Sequence, residues 1–315
     1  MQRRHLLALT ATPAFAQDSR PARMLVPYGA GNITDQVARV LADALTPRWG
    51  GRLVVENMPG ASGMLGTQAL TRSPPDGSVF AMISVAALAI LPHVTRQMRY
   101  DPLTDLAPIA SVSVSSSFMA VHPSLPVRSL AELAAHCRAR PAGDPVFYYS
   151  PGNATVPHLN LEAIRRALDF PMEHVPYRTS AAGNTDLLAG RVQVTMDSAS
   201  LTLQHMLSGA LRPIVYNHDR RHPLLPDVPT IGEAAPGLTL QNAWQGLFVP
   251  RATPAPIIER AARDMLEVID TPEFAARLPV GNSPMVMGPA GLAARMRADH
   301  ERLGRLVAAI GLTAD

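Results

Sequence analysis

The chain has 315 residues, 47% of them apolar and 17% charged, and its 28 basic and 25 acidic side chains leave a formal net charge of +3. That length predicts two domains of about 150 residues each, and the composition argues against a disordered chain. All 28 basic residues are arginine, spread among the acids without a run of one sign, which is no footprint for nucleic acid. Without lysine there is no Schiff-base chemistry and no lysine-dependent phosphate loop.

At the N-terminus, Arg3 and Arg4 precede an apolar run from Leu6 to Thr12, and Ala14-Phe15-Ala16 before Gln17 has the small-x-small form of a signal-peptidase site. A cleaved leader over residues 1–16 is expected, exported by the general secretory or the twin-arginine route. No later stretch approaches the roughly 18 consecutive apolar residues of a membrane span.

Beyond the leader, strands alternate with amphipathic helices, the rhythm of sheets covered by helices. Strands are predicted at 24–27, 53–56 and 79–84, with helices over about 33–45 and 63–70. Segments 106–112 and 117–122 read as strands leading out of this first unit. A second rhythm follows: helix 129–138, strand 146–150, helix 157–168, strand 174–177, helix 181–188, strand 192–197, helix 201–208 and strand 211–216. The proline-rich stretch 220–236 reads as a surface connection, and 244–250 as a strand returning to the first unit. Helices over about 256–269 and 290–309 close the chain. The expected fold is α/β with two lobes, each a sheet covered by helices: lobe 1 discontinuous (22–120 plus 245–315), lobe 2 over 121–244, and two crossings forming a hinge. The lone Cys137 lies in an apolar helical stretch and reads as a buried small hydrophobe, so neither an internal disulfide nor a cysteine-rich metal site can form.

Four segments place a strand end against a small or polar turn that opens a helix, the place where open α/β sheets bind ligands. They run over 28–35, 84–87, 150–155 and 197–200, and the candidate ligand-binding residues are Tyr28, Ala30, Gly31, Asn32, Thr34, Ser84, Ala86, Ser150, Asn153, Thr155 and Asp197. Each turn points unpaired amides and the positive end of a helix at the ligand, which favours an anion without any basic side chain. A helix terminus contributes about 0.3–1 kcal/mol and a charge-assisted hydrogen bond about 1.5–3 kcal/mol, so several turns together could offset desolvation of a carboxylate. Taken singly, Thr34, Asn153, Thr155 and Asp197 are also ordinary helix caps by residue type.

Other chemistries find less support. Gly29-Ala30-Gly31 lacks the third glycine of a dinucleotide fingerprint. His218 and His222, four apart beside Asp219, could share a helical face for a metal, but Pro223 follows at once, so no metal or other cofactor is expected. His158, Asp35 and Asp197 could serve acid–base chemistry, yet Gly60-Ala61-Ser62-Gly63 lacks the spacing of a nucleophile elbow, and no catalytic set is recognisable.

At these turns the chain resembles the solute-binding receptors of tripartite tricarboxylate transporters, the Bug or TctC family. The segments carrying the resemblance include VPYGAGNITDQVAR (26–39), VVENMPGASGMLG (54–66), YDPLTDLAPI (100–109), YYSPGNATVPHL (148–159), HVPYRTS (174–180), DLLAGRVQVTMD (186–197) and LPDVPTIGEAAPG (225–237). The resemblance implies a two-lobed, type II-like Venus-flytrap protein of the periplasm. It would hold a small organic acid or amino-acid-like ligand and deliver it to a large and a small membrane subunit. A monomer without enzymatic activity or cofactor is expected. A sensory partner of a membrane kinase and an α/β enzyme acting on a carboxylic acid are the alternatives. The chain departs from the family pattern where A-G-G-P-T-D becomes Ala30-Gly31-Asn32-Ile33-Thr34-Asp35, and where A-G-N-G-T-P-S-H becomes a run with Ala154, Val156 and Pro157. An ionised Asp197 would repel a second carboxylate and accept from an ammonium or hydroxyl.

Overall fold

A computed structural model describes residues 22–313 apart from residues 52 and 142, so the leader expected over 1–16 lies outside the described residues. The chain opens with β1 (Arg23–Val26), α1 (Ile33–Trp49), β2 (Val54–Asn57), a 3-10 turn at Ala61–Gly63, α2 (Met64–Thr71), β3 (Val79–Ser84), α3 (Val85–Ala89), α4 (Leu91–Val94) and β4 (Leu106–Ser115). It continues with β5 (Ser117–Val121), α5 (Leu130–Ala139), β6 (Phe147–Ser150), α6 (Val156–Ala167), β7 (Glu173–Pro176), α7 (Ser180–Leu188), β8 (Val194–Ser198), α8 (Ala199–Leu207), β9 (Arg212–Asn217) and α9 (Ile231–Ala234). The last third holds β10 (Ala243–Pro250), α10 (Ala255–Ile269), α11 (Pro272–Arg277), β11 (Asn282–Pro284) and α12 (Pro289–Ile310).

These strands form two sheets. The first has six strands in the order β11-β4-β10-β3-β1-β2, and the second has five in the order β7-β6-β8-β5-β9. In the first, β1 pairs in parallel with both β2 and β3, while β10 runs antiparallel between β3 and β4. In the second, β6 pairs in parallel with β7 and β8, while β5 runs antiparallel between β8 and β9. Each sheet thus has a parallel trio plus one inserted antiparallel strand, and the inserted strand is the one by which the chain arrives from the other lobe. Only Ser116 separates β4 from β5, and residues 218–242 carry the chain back.

Burial explains why these segments adopt these elements. All six residues of β3 are buried, as a strand covered on both faces requires. Helix α1 buries Ile33, Val37, Ala38, Leu41, Ala42 and Leu45, a stripe at helical spacing that packs on the sheet, and it ends at Gly50 in the left-handed region. The short α3 starts where the turn over 84–87 is expected to open a helix, whereas α4 was not expected: the apolar run from Val79 to Leu91 shows no period, because Val85–Ala89 is buried on every side. One turn of helix also interrupts the proline-rich return segment, set by a capping box between Thr230 and Glu233.

The second crossing is fastened on both sides. Asn160 of α6 and the Gln241 backbone exchange two hydrogen bonds of 2.9 Å, and Arg302 of α12 donates to the Gln241 side chain. Trp244, fully buried at the start of β10, donates from Nε1 to Asp299 at 2.8 Å, and Arg295 and Arg302 pair with the same carboxylate. Ala154, Val156 and Leu159 of lobe 2 join the apolar cluster of lobe 1 that contains Leu292, Met296 and Leu303.

Gly183 in α7 makes way for Tyr149, since a Cβ there would fall inside the van der Waals surface of the tyrosine ring. Alanine's better helix propensity is worth about 1 kcal/mol, but overpacking a buried aromatic costs about 1–3 kcal/mol. Gly183→Ala is therefore expected to lower the stability of the protein, read as a fall in the denaturant midpoint at constant slope.

Candidate functional site

In each sheet the central parallel strand has neighbours on both sides, so the loops leaving its carboxyl end diverge and open a crevice. On lobe 1 this places the turns after β1 and β3 side by side, and on lobe 2 the turns after β6, β7 and β8. The two sets face each other. A Cβ built on Gly29 would lie 2.8 Å from Thr179 Cγ2 at the start of α7, and one built on Gly152 would lie 3.1 Å from Ser62 Oγ in the 3-10 turn. Tyr28 links the lobe 1 turns, with its hydroxyl 2.6 Å from Ser84 Oγ and its ring against Gly63. Burial pushes that hydroxyl up to about 12, so it stays protonated at neutral pH.

The first turn is built by its own side chains. Asn32 caps α1 by accepting from Thr34 N–H at 2.9 Å, and Asn32 N–H donates to Gly29 O at 3.2 Å. Asp35, 3% exposed, accepts from Gly31 N–H at 2.9 Å, from Arg39, and from Asn57 Nδ2 at 2.9 Å. Gly31 and Asn32 therefore shape the turn through amides that are already donated, and Thr34 is buried. The amides of Ala30 and Ile33 have no partner among the described residues. In this chain Asn32 supplies a helix cap where the family pattern has glycine.

Across the gap, the candidate residues divide into those that face it and those that brace it. Ser150, fully buried, donates from Oγ to Gly152 O at 2.8 Å and lies 2.7 Å from His174 Nε2. Thr155 Oγ1 donates to Gly152 O at 2.8 Å instead of capping α6. Gly152 and Asn153 stay partly exposed between them. Ala154 sits at φ +58°, the left-handed region that costs a residue with a Cβ about 1 kcal/mol, at the position where the family pattern has glycine. Hydroxyl and imidazole of Ser150 and His174 resemble half of a nucleophilic pair, but the serine oxygen is sealed from solvent.

Asp197 is 4% exposed and accepts from Ser198 N–H at 2.7 Å and Tyr149 Oη–H at 3.3 Å. Burial raises its carboxyl pKa against the opposing pull of Ser198 N–H, Ser180 and Tyr149. Ala199 N–H, at the start of α8, donates to Ser116 O at 3.1 Å, so this helix start is tied to the residue between β4 and β5. Ser84 and Ala86 are buried at the start of α3.

Two contributors to the crevice escaped the sequence reading. Thr179 caps α7 by accepting from Ala182 N–H at 3.2 Å and meets Gly29 across the gap. Ser62 lies in a turn where Ala61, Ser62 and Gly63 all have positive φ. Both stood inside segments that carried the family resemblance, and the cap signal of Thr179 was readable, but only the approach of the lobes shows what they face.

Residues 37–312 match the family model described as the tripartite tricarboxylate transporter family receptor. The chain belongs to that receptor family. A UPF0065 protein of Bordetella bronchiseptica is 30% identical over 305 residues, which cover 96% of this chain and 90% of the relative. Among solved structures, R. palustris Rpa4515 with adipate is 28% identical with a TM-score of 0.88, covering 94% of this chain and 99% of that one. The periplasmic binding protein BugD is 27% identical with a TM-score of 0.86, covering 93% and 98%. The relationship accounts for a crevice framed by helix starts from two lobes. Among the described residues no helix is long and apolar enough to cross a membrane, and no group of three or more His, Cys, Asp or Glu side chains is arranged to hold a metal.

Burial works against the Asp35 carboxylate, but Arg39, Gly31 N–H and Asn57 outweigh it and hold the group below the ordinary 3.8. A carboxyl depressed on folding contributes stability that is complete above its unfolded pKa and is lost as the pH falls through the folded one. Asp35→Asn is expected to lower unfolding free energy by about 1–3 kcal/mol at neutral pH. Its difference from the wild type should shrink on acidification below 3.8, which urea titrations at several pH values will measure.

Proposed function

We propose that this receptor works in the periplasm, captures a small carboxylate-bearing solute between its lobes, and hands it to the large and small membrane subunits of a tripartite transporter. The observation that carries the reading is the meeting of the Gly29 turn with Thr179, where the amides of Ala30 and Ile33 have no partner among the described residues. Unpaired amides at the start of α1 offer an anion both hydrogen bonds and the positive end of a helix. An R. palustris relative was solved with adipate, which supports a carboxylate as the guest. The leader expected over 1–16 supports export.

In this reading the jaws are residues 22–120 with 245–315 on one side and 121–244 on the other, turning about Ser116 and the 218–242 segment. Both jaws belong to one chain, so a monomer suffices. The ligand-binding residues are Tyr28, Ala30, Gly31, Asn32, Thr34, Ser84, Ala86, Ser150, Asn153, Thr155 and Asp197. Some of them act by holding a turn in shape and others by contact. Asp197 faces the guest with acceptors, which favours a hydroxyl or ammonium group over a second bare carboxylate at that end. No turnover is required of such a protein.

Calorimetry with succinate, adipate, citrate, glutamate, aspartate and nicotinate tests the reading: saturable binding of at least one is expected, and no heat from any of them would sink it. A wedge at the meeting point tests closure. Gly29→Ala puts a methyl group where Thr179 Cγ2 stands and is expected to weaken binding about tenfold, or about 1.4 kcal/mol. Adding Thr179→Ser, which keeps the capping oxygen and removes that methyl, should restore most of the loss.

A further inference from the structure

Beneath the 151–155 turn, two imidazoles from different elements lie face to face. His158 stands in the first turn of α6 and His174 on β7, with ring centroids 3.9 Å apart and planes 13° from parallel. Tyr148 of β6 stacks on His174 at 4.9 Å. Each imidazole holds a different part of the turn. Ala154 N–H donates to His158 Nδ1 at 3.1 Å, which requires that nitrogen to be unprotonated. His174 Nε2 is 2.7 Å from Ser150 Oγ, the oxygen that donates to Gly152 O and accepts from Gly152 N–H at 3.4 Å. The residue fixed by His158 is the one in the left-handed conformation, Ala154 at φ +58°. A glycine there would hold the turn freely, whereas alanine depends on this hydrogen bond.

We propose that His158 and His174 are positioning residues of the 151–155 turn, and that they keep it in its ligand-facing shape only while Nδ1 of His158 is unprotonated. The inference rests on the receptor reading above, which makes this turn one wall of the crevice. A protonated His158 has no lone pair at Nδ1 and must release Ala154. Two imidazolium rings at stacking distance would also repel.

The charged groups facing the pair come from α6, where Glu162 favours protonation and Arg165 opposes it, while β6 contributes the uncharged Tyr148, whose hydroxyl donates to Glu162 at 2.8 Å. Burial, with Arg165 adding to it, outweighs Glu162 and takes His158 to about 4. Burial and the neighbouring His158 take His174 to about 3. Both folded values lie below the ordinary 6.5, so the contribution of the neutral pair is complete above 6.5 and is lost as the pH falls towards the folded values. A turn that opens to water takes up protons, and acid therefore favours the form that cannot bind.

The test is calorimetric affinity for succinate and for adipate at about pH 7.5 and about pH 5.5, with a non-titrating variant measured alongside because the second carboxyl of each diacid takes up protons in the same range. The wild type is expected to weaken by up to about tenfold more than the ligand's own titration accounts for, as His158 must shed a proton to bind. A His158→Asn/His174→Gln double variant offers amide groups near the same positions and does not titrate. It should bind within a few-fold of the wild type at the higher pH and show only the slope that the ligand's own carboxyl contributes. A merely structural role would change the melting temperature and leave the profile as it was. A wild-type profile no steeper than that of the double variant overturns the proposal while leaving the receptor reading intact. If the double variant does not fold, nitrogen-15 titration of the wild-type imidazoles with and without succinate takes its place. Lower histidine pKa values in the presence of succinate support the proposal, and equal values overturn it. Failure of both acids and of the wider panel to bind at about pH 7.5 would overturn the receptor reading and this inference together.

Discussion

A helix that follows directly on a strand begins with amides that its own hydrogen bonding cannot satisfy. In this protein that constraint recurs at every turn around the crevice, and most of the architecture can be read as an answer to it. Asp35 takes the Gly31 amide, Asn32 takes that of Thr34, Asp197 takes that of Ser198, and the Ser116 carbonyl takes that of Ala199. Among the described residues the amides of Ala30 and Ile33 are left without such a partner, beside the place where the Gly29 turn meets Thr179. A binding protein of this kind needs few charged side chains in its crevice, because it selects which backbone donors to leave open.

The same economy explains how much of the site could be read from residues alone. Strand 79–84 and the helix beginning at Ile33 announce themselves by an unbroken apolar run and by a buried stripe at helical spacing. The four turns follow from them as places where a strand ends in small or polar residues. Cap and ligand contact, however, use the same residue types, so no reading of Asn32, Thr155 or Asp197 in isolation could separate the two roles. Thr155 turns its hydroxyl to Gly152 O, and Asn32 caps α1. Thr179 and Ser62 matter because of what stands opposite them, Gly29 in one case and Gly152 in the other, and each of those partners is remote in the chain. How far the helix opening at 84–87 extends, and that a second one follows it, was hidden for a different reason: a segment buried on all sides shows no period.

The departures from the family pattern also become intelligible in physical terms. Asn32 brings a side-chain oxygen that a glycine lacks, and uses it to cap α1. Ala154 has the reverse effect, because its Cβ makes the left-handed backbone costly. Its amide is held by His158 and its side chain is buried against the apolar cluster of the opposite lobe. The surroundings over-determine a conformation that the residue itself disfavours, which is how such strain persists in folded proteins.

The position of β10 has a consequence for the order in which the molecule can assemble. It lies between β3 and β4 in the first sheet and pairs with both, yet it is made after the whole of the second sheet. As the chain emerges from N to C, β3 and β4 have no common partner until residue 243 has appeared, whereas β5 to β9 are already contiguous and can pair among themselves. The inserted lobe is therefore the natural first unit to fold, and the lobe that contains the chain's earlier strands waits for its central strand to arrive.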